Sequence, residues 1–109
     1  MNKIKLFQNT RNLKAKNFYW ILQIFETGQI TLTEHRLLYK GTKSEAYIYG
    51  EGKISKKLKV AHFENEFFTG LEMYLVLQDG KFTNSACDDA EAYIFETREN
   101  AVQYLNNIL

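Results

Sequence analysis

Between Phe18 and Phe25 both alternating faces of the chain are apolar. Phe18, Trp20, Leu22 and Ile24 share one parity, Tyr19, Ile21 and Phe25 the other, and only Gln23 is polar. Aromatic and β-branched residues at this density favour a strand over a helix. A strand that is apolar on both faces must be covered on both, which places it inside a sheet with something packed on each side. A chain of 109 residues has room for one such core.

The flanking segments read as further strands joined by short turns. Thr27-Gly28-Gln29 is a turn, and Ile30 and Leu32 alternate with Thr31 and Thr33 on the return. Around Glu34-His35-Arg36 the apolar positions change parity, since Leu37 and Tyr39 fall on the threonine face, which predicts a bulge or strand break there. Gly41-Thr42-Lys43-Ser44 reads as a loop, Ala46-Tyr47-Ile48-Tyr49 as a strand and Gly50-Glu51-Gly52-Lys53 as a turn. Leu58 and Val60 then alternate with Lys57 and Lys59, and residues 63–70 read as a loop. Leu71 to Gln78 alternates again. Asp79-Gly80 is the strongest hairpin signal in the chain and returns it through Lys81-Phe82-Thr83.

Ala92 to Phe95 is the last strand, and Thr97 caps a helix with Glu99 in its first turn. Ala101, Tyr104, Leu105 and Ile108 repeat at i, i+3, i+4 and i+7, the stripe of a helix lying on a sheet. Short connections favour antiparallel linkage. The expected fold class is α+β: a single strongly bent antiparallel sheet of about six to seven strands closed by a C-terminal helix over 97–108. Residues 1–16 form a basic arm or short first element, and 17–109 form the single domain.

Charge is divided along the chain. Residues 1–59 hold twelve Lys/Arg against four Asp/Glu, residues 60–109 two against nine, and the whole sums to +1. Such asymmetry points to an electrostatic partner. On the basic side stand Lys14 and Lys16 in the arm and Lys53, Lys56, Lys57 and Lys59 in one short stretch. With Tyr47 and Tyr49 near, these suit a phosphate backbone with stacked bases. Lysines also blunt edge strands, and Arg11 and Arg36 are the only arginines of this half able to read a base in bidentate fashion. On the acidic side, Glu64 and Glu66 precede Phe67-Phe68, and Asp88, Asp89 and Glu91 follow Cys87. Carboxylates around an aromatic anchor suit a protein-binding surface, although the two phenylalanines also suit pinning a loop to the sheet.

Catalytic chemistry finds little support. The single cysteine, Cys87, is flanked by carboxylates that raise a thiol pKa rather than lower it. His62-x-Glu64-x-Glu66 lacks any recognised metal-ligand spacing, and Gly50-x-Gly52-Lys53 leads into a strand rather than the helix that a phosphate loop needs. The expectation is therefore no enzyme, no cofactor and no metal. A lone cysteine fits a reducing compartment, and the basic start is followed by no apolar run of signal or membrane-span length, so a cytoplasmic location without membrane contact is expected.

The first functional expectation is a small binding module acting by protein–protein contact, of the inhibitor, immunity or accessory-factor kind. Its acidic-aromatic surface would compete for a basic partner surface. A nucleic-acid-binding protein using the Lys-rich half is the alternative, and a charge-driven homo-oligomer the third.

Overall fold

β2 (Phe18–Ile24) is covered on both sides, as its composition requires. The computed structural model describes residues 5–44, 48, 56–65 (Asn65 by backbone alone), 72–84 and 90–109. The other strands are β1 (Leu6–Phe7), β3 (Ile30–Ser44), β4 (Lys57–Asn65), β5 (Glu72–Gln78), β6 (Lys81–Asn84) and β7 (Ala90–Phe95), and a helix over Arg98–Ile108 ends the chain.

Every ladder is antiparallel. Each strand from β2 to β7 pairs with the next, and β7 pairs back onto β2, closing six strands into a barrel. The sheet is thus closed by its own strands, where the sequence predicts a single strongly bent sheet closed by the helix. A walk across the ladders from Gln23 through Ala92, Phe82, Leu77 and Lys59 arrives at Thr42, far along β3 from Gln23's own partner Thr31. This stagger tilts the strands and lets so few of them close around an interior filled by side chains. Closure also removes the free sheet edges that invite aggregation.

The inner parity of β2 places Tyr19 and Ile21 in a core with Leu37, Ala61, Phe63, Leu75, Phe82, Ala92 and Ile94. Its outer parity places Leu22 beside Phe95 under Ala101 of the helix, bordered by Trp20, Tyr104 and Leu105. Each large apolar side chain buried in this way contributes about 1.5–3 kcal/mol. Ile108, the last member of the helical stripe, lies past this contact and is 46% exposed. A third cluster on the outer wall joins Leu58, Val60 and Val76 to Ile48.

The helix begins as its sequence predicts: the Thr97 side chain accepts a hydrogen bond from the Asn100 N–H at 3.1 Å. Thr97→Ala should cost about 1 kcal/mol in a denaturant melt. An unchanged midpoint would show that tertiary packing alone holds the helix start.

Four local expectations are corrected. The β2–β3 register runs unbroken through Glu34-His35-Arg36, because Ile30 and Leu32 pack on the outer cluster while Leu37 packs in the core; the irregularity lies between Leu37 and Tyr39. Gly41 to Ser44 is strand rather than loop, because β3 outruns β2 and pairs with β4 down to Ser44–Lys57. Gly41 belongs there because the Tyr39 ring folds over it; a Cβ at position 41 would stand 2.5 Å from the Tyr39 hydroxyl. In the segment read as a strand over 46–49, Ile48 is helical and the other residues lie outside the described ones. Finally, β4 runs on to Asn65, into the segment read as a loop from 63.

Residues 5–16 are docked on the barrel. Leu13 is fully buried in the core, and the Lys14 N–H donates to the Tyr19 hydroxyl at 2.7 Å. Lys16 N–H donates to the Leu37 carbonyl and Leu37 N–H to the Asn17 carbonyl. The Lys40 ammonium caps the Thr10 and Arg11 carbonyls at 3.0 and 2.9 Å. Leu13 is a plug in one end of the barrel.

Candidate functional site

Successive connections in an up-and-down barrel alternate between its two ends. Here that geometry sorts the charges. The β2–β3, β4–β5 and β6–β7 connections leave from one end, where the strands and turn carry Glu26, Glu64, Glu72 and Glu91. The arm, the strand ends that bound the β3–β4 connection and the β5–β6 turn lie at the other end, with Arg11, Lys14, Lys16, Lys40, Lys57, Lys59 and Lys81 against Asp79 and Glu96. The division along the sequence has become a division along the barrel.

The acidic end is partly neutralised from within. Arg36 donates to Glu64 at 2.7 Å, and the Tyr93 hydroxyl donates to Glu91 at 2.7 Å. Burial, then the hydrogen bond and charge of Glu91, hold the Tyr93 phenol above its ordinary range. His62 Nε2 lies 3.1 Å from Glu72, out of hydrogen-bond alignment, with its ring stacked on Tyr74 at 4.2 Å. Of the acidic-aromatic residues singled out by sequence, Glu64 and Glu91 are placed at this end. Glu66, Phe67, Phe68, Asp88 and Asp89 lie outside the described residues, as do Cys87, Lys53, Tyr47 and Tyr49. The strand ends bounding both of those acidic segments meet at this end of the barrel.

The basic end is different. A cleft of about 730 Å³ opens between the arm and the barrel mouth. Its cations are Lys5, Arg11, Lys14, Lys16 and Lys40, and its walls include Phe7, Phe18 and Tyr19. Lys5 is committed to Glu96 at 2.7 Å and, with a smaller contribution from Lys14, holds that carboxyl below its usual range. Lys40 is committed to arm carbonyls. The Arg11 guanidinium and the Lys14 and Lys16 ammonium groups make no ion pair among the described residues. Phe18 has outward parity at the first position of its strand and is 41% exposed.

Lys57 and Lys59 share the parity of the buried Ala61 and Phe63, but β4 there lies beyond the barrel body and both lysines are exposed. Lys59 pairs with Thr42, diagonal to Lys40, so the β4 lysines continue the row that starts at the cleft. Lys56 precedes the strand and is exposed. The structure therefore joins Lys14 and Lys16 to Lys57 and Lys59 at one end, and adds Arg11 and Phe18. Arg11 is the arm's one arginine, and no local pattern shows that it shares a cleft with Lys14 and Lys16. Phe18 gave one signal: an aromatic ring at a strand's first outward position, with polar residues before it.

Comparisons with protein-family models, with curated proteins and with solved structures find no match for this chain. Among the described residues no group of three or more His, Cys, Asp or Glu could hold a metal ion, and no helix is long and apolar enough to cross a membrane.

Proposed function

We propose that this protein is a small binding module whose basic barrel end takes single-stranded nucleic acid without reading its sequence. One observation carries the reading: Arg11, Lys14 and Lys16 face the same cleft as the half-exposed Phe18 and have no ion-pair partner among the described residues. Cations without an ion-pair partner attract phosphates, and an exposed ring offers a stacking surface that any base fits. Lysines act as point charges, so the contacts position a strand rather than discriminate its bases.

The test is fluorescence anisotropy with a labelled oligothymidylate at stepped salt. Three phosphate contacts on a single strand give a log–log slope of about −2. Arg11→Glu/Lys14→Glu/Lys16→Glu should weaken binding by roughly a hundredfold and flatten that slope. Binding that ignores salt, or that survives the triple variant, would remove the proposal.

A second reading, protein–protein contact of the inhibitor or accessory-factor kind through the acidic end, draws on a separate observation. The two acidic segments are bounded by strand ends that meet at the end carrying Glu64 and Glu91. It expects negligible oligonucleotide affinity at moderate salt, and a partner in a pull-down that is lost on Glu64→Lys/Glu91→Lys rather than on the arm variant.

A further inference from the structure

The barrel wall has a window. One edge of β7 pairs with β2 from Glu91 to Phe95, while its other edge is shared: β6 pairs with Ala90, Glu91 and Ala92, and β1 with Ile94 and Phe95. Tyr93 falls between them and is paired by neither. At this point a pocket of about 330 Å³ opens between the end of β1 and the start of β6.

Its lining comes from both faces of the sheet. Phe7, Phe82 and Ala92 belong to the barrel core and form an apolar floor. Lys81, Glu91, Tyr93 and Tyr104 lie on the outer side and form a rim, with the Tyr93 and Tyr104 rings 5.0 Å apart. The rim carries one charge of each sign, but they are not equally available. The Glu91 carboxylate already accepts the Tyr93 hydroxyl hydrogen bond at 2.7 Å. Lys81 is exposed and makes no ion pair among the described residues.

We propose that this window binds a small apolar monocarboxylate through Lys81, at a pocket that Arg11, Lys14 and Lys16 do not line. The volume is at the lower limit for ligand pockets, which suits a single ring or short alkyl chain. The apolar part lies on Phe7, Phe82 and Ala92, and the carboxylate meets the Lys81 ammonium at the rim. A carboxylate on an ammonium forms a charge-assisted hydrogen bond, while the apolar floor supplies area burial.

The probe is 3-phenylpropionate, titrated into the full-length protein and followed by amide chemical shifts. Saturable shifts centred on Lys81, Ala92 and Tyr93 are expected, with affinity at least tenfold weaker in Lys81→Met. Lys81 is exposed, so that variant should keep the wild-type spectrum elsewhere and show that it is folded. The neutral amide of the same probe should bind more weakly, and the corresponding amine more weakly still. The Arg11/Lys14/Lys16→Glu protein should bind the probe as wild type does. Absence of saturable shifts, equal affinity for the amine, or loss of binding in the arm variant would each overturn the proposal, the last by showing that the carboxylate sat in the cleft lined by Arg11, Lys14 and Lys16.

Discussion

Replacing Leu13 by alanine should lower stability by about 3 kcal/mol, near the middle of the range for burying a cavity at a leucine site. Leu13 is fully buried and packs in the same cluster as Tyr19, Leu37 and Phe63. Besides Leu13, the arm is held by the two-residue β1–β7 ladder, the Lys5–Glu96 ion pair, the Lys14 N–H bond to the Tyr19 hydroxyl, the Lys16–Leu37 and Leu37–Asn17 backbone bonds and the Lys40 cap on Thr10 and Arg11. The lost methyl groups therefore leave a space at the barrel mouth that its closed wall cannot collapse into. In a domain of this size the melting temperature should fall by about 10–20 °C. Leu13→Asp should act more strongly by placing a charge in the same apolar site. Because Arg11, Lys14 and Lys16 ride on the arm, a loosened plug should also weaken oligonucleotide binding without touching a phosphate-contacting residue. A melting temperature unchanged in Leu13→Ala would show that the arm does not seal the barrel.

Stability should also fall by about 3 kcal/mol as pH drops from 6.5 to 4, on account of His35 alone. This imidazole is 7% exposed inside the barrel, with Nε2 2.6 Å from the Thr33 hydroxyl and the ring edge against Phe63. Its cross-strand neighbour is Tyr19. Burial lowers the His35 pKa from 6.5 to about 4. The folded protein thus resists a proton that the unfolded chain accepts readily. Stability is full above pH 6.5, is lost at one proton per molecule as pH falls towards 4, and levels off below that. The cost has a structural counterpart: imidazolium must donate from both nitrogens, and Nδ1 has no protein acceptor among the described residues. Urea melts at pH 7, 5.5 and 4 should show this slope, and His35→Gln should remove about one proton of it. Parallel slopes in the two proteins would mean that carboxylates alone carry the acid sensitivity.

The interior around His35 explains why part of the fold was hidden in the sequence. Gln23 broke an otherwise apolar strand and gave no sign of its partner; in the barrel its side-chain carbonyl accepts from the Asn84 amide at 2.8 Å, both residues being buried. That bond joins the second strand to the sixth, and no local pattern encodes it. The apolar two-faced pattern of β2 was legible, yet it is equally satisfied by a bent open sheet and by a closed wall. Closure depends on whether β7 reaches both β2 and β6, which is a matter of stagger rather than of composition. Leu13 was hidden for the opposite reason: one leucine among lysines and asparagines shows no periodicity, and only the open barrel mouth makes it a core residue.

The candidate site was legible in kind but not in place. Lys14, Lys16, Lys57 and Lys59 were singled out as basic residues, with the alternation that separates the last two from Leu58 and Val60. That the arm and β4 present them at a common end, with Phe18 beside them, follows from the pairing order. The same order puts Glu64 and Glu91 at the opposite end, although charges from the two halves of the chain interleave on neighbouring strands.

What the sequence determined by itself was local: strand and helix periods, the Asp79-Gly80 hairpin, the Thr97 cap and the sign of charge on each segment. These rest on interactions within a few residues, where side-chain type and spacing decide the outcome. The tertiary structure alone decided the closure of the barrel, the plug, the window at Tyr93 and the axis along which the charges separate. Each depends on contacts between residues far apart in the chain, whose geometry is fixed by strand stagger and by the alternation of connections between the two ends.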